Sequence, residues 1–271
     1  MGGEMDKASI IGIILGFLAI ILGMLAKGTG LGVLLNPAAI LIIFAGTAAS
    51  ILIAFPMSEV KRIPALFKIL FKEQQLPDIK ETIELFVDFS TIARREGLLA
   101  MDAKLESITD PFLKQGVRMV VDGLEPDYIR ETMLEEVEAM EERHQSGALI
   151  FTQAGTYAPT LGVLGAVLGL IAALGNLNDI EALGYAIAAA FVATLFGIFT
   201  GYVLWHPFAN KLKRKSKQEV LIRNLMIEGV LSVQAGVAPR AIEEKLRVYM
   251  PYAERVKLEE VAATKGEDFN G

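Results

Sequence analysis

The sequence contains no cysteine and only two histidines, His144 and His206, which stand far apart. Without cysteine the chain can form neither a disulfide framework nor a thiolate nucleophile or ligand. It also has no paired nucleophile and base, no His or Cys set at metal-ligand spacing and no glycine-rich phosphate loop. These absences predict a protein that is not an enzyme and that has no catalytic residues, no metal site and no cofactor.

Basic segments with interleaved aromatic residues, which nucleic-acid grooves need, are also missing, and the net charge is −6. We therefore expect no nucleic-acid partner. What the chain has in excess is long uncharged apolar runs. Four of them, spans one to four, cover residues 8–26, 37–57, 148–177 and 182–205. Each is near or above the ~20 residues that a helix needs to cross a bilayer. The predicted fold is all-α: a polytopic membrane protein with four transmembrane helices and a helical cytoplasmic domain.

Lysine and arginine are distributed very unevenly between the loops. Lys27 is the only basic residue between spans one and two, and residues 176–181 between spans three and four have none. Basic residues follow span two at Lys61, Arg62, Lys68 and Lys72, and follow span four at Lys211, Lys213, Arg214, Lys215 and Lys217. Because basic loops stay on the cytoplasmic side, both termini are predicted to be cytoplasmic.

Four segments follow from this layout: a transmembrane hairpin at 1–57, a cytoplasmic insert at 58–147, a second hairpin at 148–205 and a cytoplasmic tail at 206–271. Helices in the insert are predicted to begin at Asp78, at Asp110 with Pro111, and at Pro126. The last carries an apolar stripe of Ile129, Met133, Val137 and Met140, has no breaker before Gly147, and is expected to run on toward span three.

No Asp, Glu, Lys, Arg or His lies within the four apolar runs. Ion pathways in membranes usually contain an ionisable group. Either the chain conducts nothing, as a membrane scaffold would, or the titrating carboxylate comes from another polypeptide inserted beside it.

Small residues recur at helical spacing in spans three and four: Ala154, Ala158, Gly162 and Ala166, then Ala189, Ala193, Gly197 and Gly201. Such stripes let backbones approach closely, either to seal span three against span four or to contact other subunits. Thr160 and Thr194 are polar groups beside these stripes. Thr194 is the hydroxyl we expect a partner side chain or water to reach.

Several motifs carry a resemblance that covers nearly the whole chain. They are Gly46-Thr47 and Ala54-Phe55-Pro56, Arg94-Arg95-Glu96-Gly97-Leu98-Leu99-Ala100-Met101-Asp102, Ala158-Pro159-Thr160-Leu161-Gly162, Thr194-Leu195-Phe196-Gly197, and Pro207. With them the chain resembles the flagellar motor stator A subunits (MotA) of the MotA/TolQ/ExbB proton channel family. The arginine–glycine–leucine element that ends in an acid is the most specific of these motifs.

The resemblance implies an ion-driven stator subunit of the bacterial inner membrane. It implies a homo-oligomeric ring, expected to be a pentamer, around a dimer of a peptidoglycan-anchored, single-span B subunit that supplies the ion-carrying carboxylate. Arg94 and Asp102 match the positions that contact the rotor's switch-complex protein, although the family usually has Glu at the second. Pro159 and Pro207 match the prolines that couple ion flow to movement.

The resemblance also bears on the ion. Ala166 stands where sodium-driven relatives have Thr, which favours protons, and Thr156 stands where relatives often have Asp. Thr160, Ala166 and Thr194 are therefore the predicted ion-pathway or partner-helix surface. The alternative is a TolQ/ExbB-type channel that energises envelope transport, whose subunits normally have three spans.

Overall fold

The computed structural model describes residues 5–175 and 177–256, and within them the chain is helical, with a single isolated β-bridge between Met5 and Lys72. The α-helices are α1 Lys7–Ala26, α2 Pro37–Ile40, α3 Gly46–Ala54, α4 Met57–Val60, α5 Ile63–Phe71, α6 Ile79–Glu96, α7 Asp102–Leu105, α8 Pro111–Val121, α9 Pro126–Leu174, α10 Ile180–Phe199, α11 His206–Gln234 and α12 Pro239–Leu246. Short 3-10 turns lie at Leu31–Leu34, Leu98–Met101 and Arg247–Tyr249, and π-helical segments lie at Leu41–Ala45 and Thr200–Trp205.

Within the described ranges, four helices are long and apolar enough to cross a membrane: Lys7–Ala26, Pro37–Ala54, Pro126–Leu174 and Ile180–Gln234. The all-α, four-span prediction is confirmed. Span two ends three residues earlier than predicted, because Phe55 is extended before Pro56. Span four begins earlier than predicted, because Asp179 caps the amides of Glu181 and Ala182.

The predicted helix starts of the insert are also present. Asp78 accepts hydrogen bonds from the amides of Lys80 and Glu81, and Asp110 accepts one from the amide of Leu113 with Pro111 in the first turn. Helix α9 begins at Pro126 and continues without a break through residue 174, as the missing breaker predicts.

The chain divides into two compact units. The first, the spanning unit, contains the described residues of Met1–Gln74 and Arg143–Ser216. Its core includes an aromatic cluster in which the ring of Phe67 lies 5.2 Å from that of Phe151 and 6.1 Å from that of Phe208. No residue of span one is buried within the unit, which leaves that helix free to face lipid.

The second, the insert–tail unit, contains the described residues of Gln75–Glu142 and Lys217–Gly271. Its core is built mainly from α6, α8, the first part of α9, the last part of α11 and α12. Phe86 is fully buried against Gly229, where a Cβ atom would lie 2.4 Å from the phenyl ring. The stripe predicted on α9 is buried in this core: Ile129, Met133, Val137 and Met140.

The chain passes from one unit to the other between residues 74 and 75, 142 and 143, and 216 and 217. The last two of these boundaries lie outside the apolar runs, because α9 and α11 continue beyond spans three and four. The division into hairpin, insert, hairpin and tail stays a prediction. Parts of it lie outside the described residues, namely residues 1–4, Asn176 in the loop between spans three and four, and 257–271 of the tail.

Candidate functional site

Spans three and four pack backbone against backbone along their small residues. A Cβ atom on Gly197 would lie 2.6 Å from the carbonyl oxygen of Ala158 and 2.9 Å from Cα of Gly162. Only glycine permits so close an approach. Of the two interpretations of the stripes, the structure shows the contact between spans three and four directly.

Each of the two helices also has an exposed face away from this contact. On span three this face carries Thr156, Thr160, Val163, Val167 and Ile171, and on span four it carries Phe191, Ile198 and Tyr202. Spacings of three and four residues place each group on one side of its helix. The open surface, as we call these residues, is apolar with hydroxyl groups at intervals.

The predicted pathway residues lie at the edge of this surface. Thr160 is exposed and its hydroxyl donates to the carbonyl of Tyr157 at 2.7 Å. Thr194 is half-buried and donates to the carbonyl of Ala190 at 3.3 Å, so its oxygen keeps its acceptor capacity. The backbone of Thr194 packs on Gly162, which places it between the levels of Thr160 and the half-buried Ala166.

The two predicted coupling prolines differ in environment. Pro159 lies inside α9, and its Cγ would be 2.7 Å from a Cβ atom on Gly201, so its ring sits directly on span four. Pro207 is exposed in the first turn of α11.

Sequence reasoning missed the π-helical segment Thr200–Trp205 that precedes Pro207. The amide of His206 donates to the carbonyl of Gly201, five residues back, instead of four. Pro207 itself is the signal for this change, because a proline cannot donate to the carbonyl four residues earlier and its ring crowds that carbonyl. Such π-bulges often mark functional positions in helices.

Sequence reasoning also missed a buried cation in the spanning unit. Lys215 donates from Nζ to the carbonyl of Ile69 at 2.6 Å and to that of Lys72, and thereby satisfies the last carbonyl groups of α5. Burial, together with repulsion from Lys211, lowers the pKa of Lys215. Lys211 in turn forms an ion pair with Asp6, and its hydrogen bond lowers the pKa of the Asp6 carboxyl.

Arg94 and Asp102 are both exposed on the insert–tail unit, and across the described ranges neither takes part in an ion pair. They flank the turn at Gly97, whose φ of 87° a side chain would disfavour. Met101, which precedes Asp102, is fully buried and anchors the turn. The buried Met101 therefore fixes this turn, while the charges of Arg94 and Asp102 remain exposed to solvent.

Comparisons with known proteins agree with this architecture. Residues 104–225 match the MotA/TolQ/ExbB proton channel family, and residues 10–97 match the motility protein A N-terminal region. Motility protein A of Bacillus subtilis (strain 168) is 61% identical over 267 residues, which cover 98% of this chain and 97% of that protein. The chain belongs to the MotA/TolQ/ExbB proton channel family.

More distant relatives and solved structures of this family give the same result. Chemotaxis protein PomA of Vibrio alginolyticus is 32% identical over 93% of this chain and 98% of its own length. The flagellar MotAB stator complex from Bacillus subtilis contains a chain with a TM-score of 0.89 and 62% identity, covering 93% of this chain and 99% of that one. For C. jejuni MotAB the TM-score is 0.86 at 31% identity, covering 92% and 97%. The predicted resemblance and the prediction of a flagellar stator subunit are confirmed, and the envelope-transport alternative is not favoured.

Proposed function

We propose that copies of this chain form a ring around the spans of a B-type partner and convert proton flow into torque on the flagellar rotor. The observation that carries the proposal is the open surface. It presents hydroxyl and apolar groups, and among its described residues the only ionisable group is the phenol of Tyr202. A surface of this kind suits a partner helix that brings its own carboxylate. The solved MotAB complexes of relatives support the same pairing.

The energetics of such a device are favourable. A proton that crosses the membrane under its potential releases about 2.3 kcal/mol per 100 mV. Protonation neutralises the partner carboxylate and allows it to move across the apolar part of the open surface, where a charged group would be costly. Thr160 and Thr194 accept hydrogen bonds from the carboxylic acid or from water. Each proton thus permits one step of the ring relative to the partner.

Torque transfer is assigned to Arg94 and Asp102. Both are solvent-exposed, carry opposite charges and stand on a turn that the buried Met101 anchors. Charges at such positions act over a Debye length of about 8 Å at physiological salt. That range is sufficient to attract and repel charged groups of a rotor protein that passes close to the turn.

The arrangement in the membrane follows the lysine and arginine asymmetry. We place the chain in the bacterial inner membrane with both termini in the cytoplasm, so that Arg94 and Asp102 face the rotor. A ring of five copies is the stoichiometry that the resemblance supports. Native mass spectrometry of the purified complex with its partner tests the number of copies.

The functional test uses a bacterial strain that lacks its own stator, complemented with this chain and its B partner. Rotation of tethered cells is compared for wild type, Arg94→Glu, Asp102→Lys and the double charge swap. Rotation should be restored by wild type and impaired by each reversal. Lys80→Glu is the matched control, because Lys80 is an exposed charge on the same unit and its one ion pair among the described residues is with Glu84 at 3.8 Å.

The amount of each variant in the membrane is measured in parallel. If wild type is stable, binds its partner and never restores rotation in any proton or sodium gradient, the motor function is wrong. If wild type rotates and the reversals match the Lys80→Glu control, the stator function stands and the rotor contact lies elsewhere.

A further inference from the structure

The imidazole of His206 lies directly on Gly155 of span three. A Cβ atom at Gly155 would be 2.8 Å from Cγ and Cδ2 and 2.9 Å from Nδ1 of this ring, so no larger residue fits beneath it. On its other side the ring centroid is 5.3 Å from that of Tyr202, at an angle of 41°. His206 is half-buried, whereas Tyr202 belongs to the open surface. The imidazole therefore connects the interior of the helix pair with the open surface.

Gly155 is a special position because Pro159 follows it by one helical turn. Pro159 has no amide hydrogen, so the Gly155 carbonyl receives no hydrogen bond from residue 159. This carbonyl lies against Gly201, where a Cβ atom would be 2.8 Å from its oxygen. The amide of His206 closes the π-helical turn onto Gly201. The half-buried imidazole of His206 thus lies at the level of Gly155, whose carbonyl lacks its helical donor because of Pro159.

Few other ionisable groups share this end of the spanning unit. In the described part of span three, residues 148–174, Tyr157 is the only titratable side chain. Span one contacts the π-helical segment and begins at Lys7, with Asp6 just before it paired to Lys211. Imidazole is the side-chain type that changes charge most readily between pH 5 and 8.

We propose that His206 is the proton acceptor on the cytoplasmic side of the ion pathway, an inference that rests on the proposed function. The O–H bond of the partner's carboxylic acid breaks, its proton passes along water beside Thr160 and Thr156, and an N–H bond forms on the imidazole. The carboxylate and an imidazolium result. The imidazolium then gives its proton to cytoplasmic water and returns to the neutral ring.

The distances suit this transfer. Gly155 precedes Thr160 by five residues, which is about 7.5 Å along the helix axis, a distance that a short chain of waters is long enough to bridge. An imidazolium donates from both ring nitrogens. The ring itself packs against Gly155, whose carbonyl has no donor from residue 159.

The test measures rotation of tethered cells at several internal pH values, set between about 6 and 8 with a permeant weak acid at constant external pH. The chain and its B partner are expressed in the stator-less strain as wild type, His206→Gln and His206→Phe. Gln keeps a polar group without titration, and Phe keeps the ring without nitrogen. Both should lower the speed at neutral internal pH by about tenfold, because loss of a positioned proton-transfer group commonly costs more than that. Both should also flatten its dependence on internal pH.

His144→Gln is the matched control, since His144 contacts the hydroxyl of Ser216 at 3.1 Å and has no part in the proposed pathway. It should keep both the speed and the pH dependence of wild type. The inference is overturned if the His206 variants keep the wild-type profile. It is equally overturned if they lose speed by one factor at every internal pH, since that result indicates packing alone.

Proton uptake by the same cells, followed with an internal pH dye, separates the two proposals. Uptake that depends on the wild-type chain but not on His206 removes the role of His206 and leaves the stator function standing. A wild-type chain that reaches the membrane and neither rotates nor takes up protons removes both.

Discussion

At Gly197 the absence of a single atom, Cβ, allows spans three and four to pack closely. Its Cα lies so close to span three that a Cβ would be 2.6 Å from the carbonyl oxygen of Ala158. That oxygen belongs to backbone and cannot rotate away as a flexible side chain could. Gly184, on the same helix, has open space where its Cβ would be. The two glycines therefore provide a matched pair.

We expect Gly197→Ala to separate spans three and four, at a cost of about 1–3 kcal/mol for overpacking. Gly184→Ala should be neutral or slightly stabilising, because alanine is the better helix former. Thermal unfolding of the purified complex in detergent, together with swimming speed, checks both. Equal melting temperatures for the two variants would show that span three shifts to accommodate the added methyl group without loss of stability.

At the scale of single elements, Asp110 performs two tasks. It caps α8 by accepting from the amide of Leu113 at 3.0 Å, and it accepts from Arg223 of α11 at 2.7 Å. Both charged side chains are less than one fifth exposed. The same carboxylate thus begins one helix and joins it to another, whereas Asp78 caps α6 without an ion pair among the described residues.

Asp110→Ala should destabilise α8 by more than the roughly 0.5–2 kcal/mol that a lost cap costs, since Arg223 also loses its closer carboxylate and keeps only Glu219 at 3.6 Å among the described acids. Asp78→Ala should destabilise α6 only by the loss of its N-terminal cap. Hydrogen exchange of the full chain, read by mass spectrometry over 111–121 and 79–96, compares the two helices. Asp110→Asn separates the tasks, because asparagine caps a helix but carries no charge. Full protection of α8 in this variant would mean that the ion pair adds nothing.

Across the whole insert–tail unit, Glu228 joins three helices that are distant in sequence. It lies on α11 and accepts from Arg130 of α9 at 3.0 Å and from Lys245 of α12 at 2.7 Å. The hydrogen bond from Lys245 is the main reason that the pKa of Glu228 is lowered, with Arg130 adding to it and burial opposing it. Burial is the main reason that the pKa of the nearby Tyr249 phenol is raised, and the negative charge of Glu228 raises it further.

The stability of this unit should therefore depend on pH in a definite direction. Because the folded pKa of Glu228 lies below the value of 4.5 usual for glutamate, its contribution is complete above that pH and is lost as pH falls through the folded pKa. Glu228→Gln should lower the melting temperature at pH 7 and have progressively less effect as the pH falls through the folded pKa. Circular dichroism of the full chain in detergent measures both. Glu244→Gln, which removes an exposed pair with Arg240, should change neither; an equal effect in that control would contradict the assignment.

The choice of ion is also a property of the assembled molecule. Ala166 is half-buried beside the open surface and offers no oxygen to a sodium ion. We expect rotation to persist in sodium-free medium and to stop when a protonophore is added. Tethered-cell rotation in both media is the measurement. Rotation that follows the sodium gradient and survives the protonophore would show that the ion is sodium.

The sequence by itself determined the four spans, the helix caps at Asp78 and Asp110, and the family, because hydropathy, capping and short motifs are local properties. It also showed that the ion-carrying group must come from elsewhere if the chain conducts. Only the tertiary structure decided that the small-residue stripes face each other, that Lys215 caps α5, and that His206 covers Gly155. These contacts join residues that are distant in sequence. Their geometry depends on how separate helices pack, which local patterns of residue types do not specify.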